Sequence, residues 1–303
     1  MNVLVTGGTG LIGKPLIQSL RAKGYDVTVL SRNVKKMSVS PGLQILEWDG
    51  RTDTGWGRQL SKMDAVINLA GENIGSFPWT EKRKRIFRES RIGAGNALTE
   101  AVQQAEPRPR VFIQASAVGY YGPRGTEQVD ESAEPGDDFS AKLCVDWEAS
   151  TEKVESLGVC HIIIRTGVVL ANNGGVLPLM ALPVRMFAGG RLGAGRQGIP
   201  WIHIFDEVNA IQFLVENETT QGIYNLSAPK PVSSADFIKT LSVVLRRPYW
   251  IHAPQSALRL VLGEMSTLLL EGQYAVPKRL LEGGFTFKYK SAESALRNLF
   301  GGR

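Results

Sequence analysis

Three glycines near the N-terminus have a spacing that suits a pyrophosphate. Gly7, Gly10 and Gly13 follow the apolar run Val3-Leu4-Val5. Glycine lets the chain turn tightly and lets backbone N–H groups approach the anion. Thr9, Leu11 and Ile12 lie between these glycines, and a helix opening near Gly13 would offer its positive N-terminus. A glycine pattern alone is weak evidence. This one leaves a strand and enters a helix, which the motif requires. The second strand ends in Ser31-Arg32. NAD-preferring sites place an acid there, about 20 residues past the glycines, to hold the ribose 2′-OH. A guanidinium instead suits a 2′-phosphate, and Ser31 can add a hydrogen bond, so NADP is expected over NAD. Lys35 and Lys36 could help or simply be solvated.

Hydroxyls cluster further along, in Ser116-Ala117-Val118-Gly119-Tyr120-Tyr121-Gly122. Ser116, Tyr120 and Tyr121 leave a strand C-terminus, where they could donate hydrogen bonds to a carbonyl being reduced. The alternative is a polar loop with packed tyrosines. Lys142 could hold a nicotinamide ribose and lower a neighbouring tyrosine pKa. Asn68-Leu69-Ala70-Gly71 ends another strand, and its small residues let the backbone pass close to a cofactor. Asn68 could instead only tie its strand to a neighbour. Asp49 could reach an adenine amino group, whereas Trp48 reads as packing. Arg185, Arg191 and Arg196 could each grip an anion or be solvated; Arg196 is favoured for substrate. His203 reads as buried and satisfied, and Asp206 as the cap of a helix over Glu207 to Leu214.

These residues need a scaffold that gathers strand ends. Strands are expected at Asp26 to Leu30, Leu43 to Glu47, Ala65 to Ala70, Arg110 to Ala115 and Cys160 to Arg165. Helices are expected from Thr80 to Ala105 and about Phe139 to Ser156. The alternation predicts an α/β fold, a doubly wound parallel Rossmann sheet with its crevice at the strand C-termini. Residues 171–200 hold many glycines and three prolines with little periodicity, which suggests a functional loop. Gly222 to Leu226 reads as a strand, Ser233 to Leu245 as a capped helix, and the tail from Pro248 as mostly helical. The division expected is a nucleotide-binding domain over 1–170, with sheet added from about 201–230. Residues 171–200 and 231–303 then form a substrate-side loop and a smaller helical subdomain.

Composition narrows the class. The 303 residues, 43% hydrophobic and 21% charged, suit a globular protein of one large and one smaller unit. A net charge of +6 is modest. The basic stretch Lys82-Arg83-Lys84-Arg85 with Arg88 and Arg91 reads as a solvated helix face, or one lining a phosphate-bearing cleft, rather than a nucleic-acid site. Cys144 and Cys160 make no metal or redox spacing and read as buried thiols in a reducing compartment. The three histidines form no ligand pattern, so no metal is expected. The first strand begins at Asn2 with no signal peptide before it, and no apolar run reaches the ~18 residues of a membrane span. A cytoplasmic protein without membrane or nucleic-acid partners is expected.

Together, the glycine pattern, Asn68-Leu69-Ala70-Gly71, Ser116 to Gly122, Lys142, Arg165-Thr166-Gly167 and Trp201-Ile202-His203-Ile204-Phe205-Asp206 resemble the extended short-chain dehydrogenase/reductases. Gly71-Glu72-Asn73, Gly193-Ala194-Gly195-Arg196-Gln197, Leu270-Glu271-Gly272-Gln273 and Pro277-Lys278-Arg279-Leu280 resemble their epimerase-like, atypical branch. Relatives there are labelled nucleoside-diphosphate-sugar epimerases or cell-division inhibitors. The resemblance spans the chain. It implies NADP held also by Arg165, substrate contacts from Glu72, Arg196 and Trp201, a small-molecule substrate, and a homodimer through the helices near 80–105 and 139–156. One departure stands out. The family's Tyr-x-x-x-Lys would place a tyrosine four residues before Lys142, where this chain has Asp138. Two readings follow. One is an NADP-dependent oxidoreductase or epimerase of a small polar carbonyl or sugar-like substrate. The other is an NADP(H)-bound sensor or assembly protein with little turnover.

Overall fold

Near-continuous apolar runs suit strands covered on both faces. Seven of them form one parallel sheet in a computed structural model that describes residues 1–34, 41–75 and 79–301. They are β1 (Asn2–Thr6), β2 (Asp26–Ser31), β3 (Leu43–Glu47), β4 (Ala65–Asn68), β5 (Val111–Ala117), β6 (Cys160–Thr166) and β7 (Gly222–Leu226). Their order is β7-β6-β5-β4-β1-β2-β3. The winding direction reverses between β1 and β4, and ligands of doubly wound sheets bind at that reversal.

Alternate side chains of each strand feed two cores. Val3 and Val5 pack with Leu16, Ile17 and Leu20 of α1 (Gly13–Ala22). Leu4, one residue on, joins Ala94, Leu98 and Val102 of α2 (Glu81–Gln104) on the other face. Helix α2 starts where the sequence predicts. Thr80 accepts a hydrogen bond from the Arg83 N–H, and Glu81 sits at the positive helix end. Helix α3 (Phe139–Ala149) is shorter than expected, and a separate turn, Lys153–Ser156, follows it. Asp138 caps α3 by accepting from the Ala141 N–H at 2.7 Å.

The segment 171–200 is not the structureless loop its prolines and glycines suggest. It contains helix α4 (Leu177–Arg185) and two short strands, Gly190–Leu192 and Gly198–Ile199. Pro178 falls in the first turn of α4, where its missing N–H is harmless. Pro183 lies inside the helix, but burial of Leu177, Ala181 and Val184 overrides that local cost. Of residues 201–230, Gly222–Leu226 joins the large sheet. Trp201–His203 pairs instead with Val168–Leu170. A side chain at Gly167 would collide with the Pro200 carbonyl, so the chain turns tightly there and leaves the sheet.

Helix α5 (Ile204–Glu216) begins three residues earlier than expected. Its cap is His203, whose Nδ1 accepts from the Phe205 N–H at 3.0 Å while Nε2 meets Asn298 at 3.1 Å. Asp206 is therefore not the cap. Its carboxylate accepts from the Lys288 and Tyr289 N–H groups at 2.9 and 2.8 Å and anchors the C-terminal segment. Helices α4, α6 (Ser234–Leu245) and α8 (Ala292–Phe300) enclose a third core. Between them in sequence lies α7 (Gln255–Leu262), which buries none of its residues fully. Among the described residues, no helix is long and apolar enough to cross a membrane, and no three His, Cys, Asp or Glu side chains converge as a metal set.

Candidate functional site

The C-terminal ends of β2, β1, β4, β5 and β6 form one continuous edge. At ~4.8 Å per strand spacing it spans about 19 Å, long enough for an extended dinucleotide. Gly7 has φ +67°, and a Cβ there would strike the Leu69 carbonyl. A Cβ at Gly13 would strike the Gly7 carbonyl. Leu69 and Ala70 also donate N–H bonds to Thr6 Oγ1, each at 3.1 Å, so the β4 exit lies close over the glycine turn. Thr9 and Gly10 are exposed; Leu11 and Ile12 are half-buried. Leu11 packs against the backbone at Gly174 and Gly175. The first turn of α1 has no side-chain cap and no acid; the Lys14 N–H donates to the Gly10 carbonyl and Pro15 has no N–H, so the backbone that can meet an anion is the stretch just before them, Leu11 to Gly13. These features fit a dinucleotide.

Arg32 is exposed beyond β2, with Nη2 3.9 Å from Glu72. Glu72 also accepts from Arg83 at 3.4 Å. Glu72 therefore stands between two arginines at this end of the edge. Ser31 is buried, and its hydroxyl accepts from the Asn33 N–H. Lys35 and Lys36 lie outside the described residues. Asp49 uses its carboxylate within its own turn, accepting from Arg51 N, Thr52 N and Thr52 Oγ1, which hold its pKa below the ordinary value. Asn68 is buried and ties strands together. It accepts from Thr6 Oγ1 at 2.6 Å and donates to Gln114 at 2.8 Å.

Next to this edge, beyond β5 and β6, lies a cleft of ≈ 260 Å³. Its floor is Ala117-Val118-Gly119 and Thr166-Gly167-Val168. Helix α3 supplies Ser140, Leu143, Cys144 and Trp147, the i, i+3, i+4 and i+7 positions of one face. Arg91 enters from α2, and Gln197 and Thr267 to Leu269 close the far side. Burial pushes the Cys144 thiol up to about 12, so it is not a thiolate nucleophile.

Five expected catalytic or cofactor side chains do not line this cleft. Lys142 is exposed on another face of α3, in an outer groove with Lys84 and Arg88. Ser116 is buried below the floor and donates to Glu148 Oε1 at 2.6 Å. Tyr121 has no exposed surface, and its hydroxyl donates to Asn225 at 2.7 Å. Burial raises its pKa against the opposing pull of Arg165. Arg165 grips Glu148 with Nε and Nη2, both at 2.9 Å, instead of reaching a cofactor. Burial would weaken its charge, but Glu148 more than offsets this and raises its pKa. Tyr120 is half-buried, with its ring centroid 3.3 Å from the Arg165 guanidinium carbon.

The substrate expectations shift as well. Trp201 is fully buried in the third core. Arg196 is exposed, and its neighbour Gln197 faces the cleft, donating to the Leu192 and Leu269 carbonyls. Arg191 bonds to His252, and Arg185 lies over Phe300. The basic stretch divides. Arg85 and Arg88 form ion pairs on exposed surface, Arg83 and Lys84 form theirs half-buried, and Arg91 is buried. The spacing Phe87, Arg91, Ala94, Leu98 carried that signal, because it places Arg91 on the apolar stripe of the helix.

A glycine turn under a close β4 exit, at the reversal of a parallel sheet, is a nucleotide-binding arrangement. Residues 3–227 match the NAD dependent epimerase/dehydratase family. The chain belongs to that family. Residues 253–299 match a domain of unknown function, DUF1731. The chain is 38% identical to Epimerase family protein YfhF of Bacillus subtilis over 306 residues, covering 100% of this chain and 99% of that protein. It is 40% identical over 305 residues to the Arabidopsis thaliana protein named Epimerase family protein SDR39U1 homolog, chloroplastic, covering 98% and 86%. The human epimerase family protein SDR39U1 (isoform 2), solved with NADPH, superposes with a TM-score of 0.89 at 33% identity over 100% of both chains. A Thermotoga maritima UDP-glucose 4-epimerase, at 18% identity over 99% and 98%, shares the fold with a TM-score of 0.81.

This epimerase-family chain also buries a carboxyl beneath the cleft floor. Glu207 has no exposed surface; Oε1 accepts from Thr166 Oγ1 at 2.9 Å, and Oε2 has no partner among the described residues. Burial pushes its pKa up to about 8. The folded value lies above the unfolded one of 4.5, so its contribution to stability is complete below pH 4.5 and is lost as pH rises through 8. Glu207→Gln, which cannot ionise, is expected to unfold roughly 5–10 °C above the parent at pH 9 and within about 2 °C of it at pH 5. Thermal melts at both pH values check this; an equal shift at both would mean that Glu207 does not titrate there.

Proposed function

We propose that this protein is an NADP(H)-dependent oxidoreductase or epimerase acting on a small polar carbonyl or sugar-like substrate. The observation that carries the reading is the walled cleft at the ends of β5 and β6, continuous with the nucleotide edge. A protein that only senses a nucleotide has no need of it. The cofactor supplies hydride exchange. The chain's own residues supply enclosure, a hydroxyl donor at Ser140, an acceptor oxygen at Thr166, whose hydrogen goes to Glu207, and a buried guanidinium at Arg91. Arg32, free of a tight ion pair, supports the 2′-phosphate preference. Tyr120, Tyr121 and Lys142 have no place in the acid–base chemistry of this reading.

Their absence from the lining favours a second reading, an NADP(H)-binding sensor or assembly protein with little turnover. Calorimetric titration of nucleotide-stripped protein with NADPH and NADH comes first. Carbonyl compounds are then screened by loss of NADPH absorbance, and nucleotide sugars by NMR for inversion. Turnover that drops at least about tenfold in Ser140→Ala supports the enzyme. Tight NADPH binding with no turnover across the panel supports the sensor. Binding of neither nucleotide overturns both.

A further inference from the structure

We propose that Arg91 and Trp147 form an oxyanion subsite in the cleft, one that takes a carboxylate or phosphoryl group carried by the substrate. The proposal rests on reading the cleft as a substrate site.

Arg91 is 8% exposed, yet among the described residues no carboxylate lies within ion-pair distance of it. Its one hydrogen bond there runs from Nη1 to the Phe87 carbonyl at 3.1 Å, one turn back in the same helix. Packing holds the guanidinium in place. Its carbon lies 4.8 Å from the centroid of the Trp147 ring, and a Cβ added at Gly71 would sit 3.2 Å from it. A guanidinium carries five N–H donors, so most of its capacity is unused. Burial lowers its pKa, and the weak opposing pull of Cys144 and Glu72 offsets that desolvation only in part. Glu72 is near enough to favour the charge but is engaged with Arg83 and Arg32.

Trp147 adds an independent observation. It is 7% exposed, and its indole N–H is buried with no acceptor among the described residues. Both side chains line the same cleft. A buried indole N–H without an acceptor among the described residues, beside a guanidinium that uses one of its five N–H groups there, is costly unless a ligand supplies the acceptors. The charges that line the cleft opposite Arg91 are engaged elsewhere: Asp138 caps α3, and Glu271 lies 3.8 Å from Arg259. A neutral hydroxyl would satisfy one N–H and leave the charge unpaired. A carboxylate or phosphoryl group matches the planar fork and can also accept from the indole. Gly71 ends the β4 exit and Ala117 ends β5, so the subsite lies between the nucleotide edge and the cleft floor. The substrate class is therefore an anionic carbonyl compound, such as a keto acid, a sugar acid or a sugar phosphate.

The test follows the Trp147 indole N–H by ¹⁵N NMR, assigned by its disappearance in Trp147→Phe. Acetate and inorganic phosphate are titrated separately into NADPH-loaded protein at constant ionic strength. The expected result is a saturable shift with at least one anion. Arg91→Met, which keeps the stem on the Trp147 ring, should weaken that anion at least ~10-fold, with Arg91→Lys intermediate and NADPH affinity within about threefold of the parent. Trp147→Phe, read by calorimetry, should weaken the same anion roughly threefold to tenfold, and serves if Arg91→Met does not fold. Shifts that never saturate, or that persist in Arg91→Met, overturn the subsite. A tenfold loss of NADPH in Arg91→Met also overturns it, because the guanidinium would then serve the cofactor. If the parent binds no NADPH, the functional reading fails, and the same titration of nucleotide-free protein still decides the subsite.

Discussion

Arg32→Asp is expected to weaken NADPH binding by about 100-fold while changing NADH by less than about threefold. The estimate combines loss of a charge-assisted hydrogen bond, roughly 1.5–3 kcal/mol, with repulsion between the new carboxylate and the 2′-phosphate. The side chain is free to make the contact. It is 68% exposed, and its tie to Glu72 is long at 3.9 Å. Nothing in the β2 exit supplies the acid that would hold a 2′-OH, since Ser31 and Arg32 are followed by Asn33. Arg32→Ala separates the two contributions and should cost about tenfold for NADPH alone. Added salt should shrink the discrimination, because the site is open to solvent. Calorimetric titrations with both nucleotides check all three outcomes. Equal losses for NADPH and NADH would show that Arg32 does not read the phosphate.

The second large effect lies beneath the cleft. Glu148→Met or Arg165→Met alone is expected to destabilise the fold by about 3–5 kcal/mol, lowering the melting temperature by on the order of 10 °C. Each leaves a buried charge without its partner, in a pair whose side chains are 2% and 10% exposed. The pair also sustains the hydrogen bonds of Ser116 and Tyr121, so loss of either member leaves further buried groups short of partners. The double variant Glu148→Met/Arg165→Met should recover more than half of the loss, because neither charge then remains. Denaturant melts of the four proteins measure the coupling. The sequence resemblance assigned Arg165 to the cofactor. That role predicts the reverse pattern, an unchanged melting temperature with NADPH affinity lost.

Most of the scaffold was legible in the sequence because its determinants are local. The glycine turn needs residues without a Cβ at Gly7 and Gly13, where backbone carbonyls stand in the way, and no other residue type would fit. The apolar runs of β1 to β6 mark strands covered on both faces, and Thr80 and Ser233 mark helix starts by their capping hydroxyls. The absence of an acid after β2 is likewise a statement about residue type at a known place in the fold. Misreadings arose where packing outweighed local propensity. The prolines of α4 are an example, since burial of Leu177, Ala181 and Val184 holds a helix that they would otherwise discourage.

What the sequence by itself determined is thus the doubly wound sheet, its glycine turn and the basic character of the β2 exit. Tertiary structure alone decided which side chains meet in the cleft. Lys142 and Cys144 are two residues apart on α3, yet the first faces an outer groove and the second the cleft. Successive helix positions turn by about 100°, so residues two apart point to nearly opposite sides, and a two-residue shift of α3 against β5 would put Lys142 where Cys144 stands. That setting comes from contacts far apart in the chain, between α3, α2 and the strand ends. The same holds for Tyr121, turned inward by Asn225 some hundred residues away, and for Arg91, whose burial depends on Trp147 and Gly71 closing around it. Local sequence encodes the conformation of each element; the phase of each element against its neighbours is a property of the packed whole.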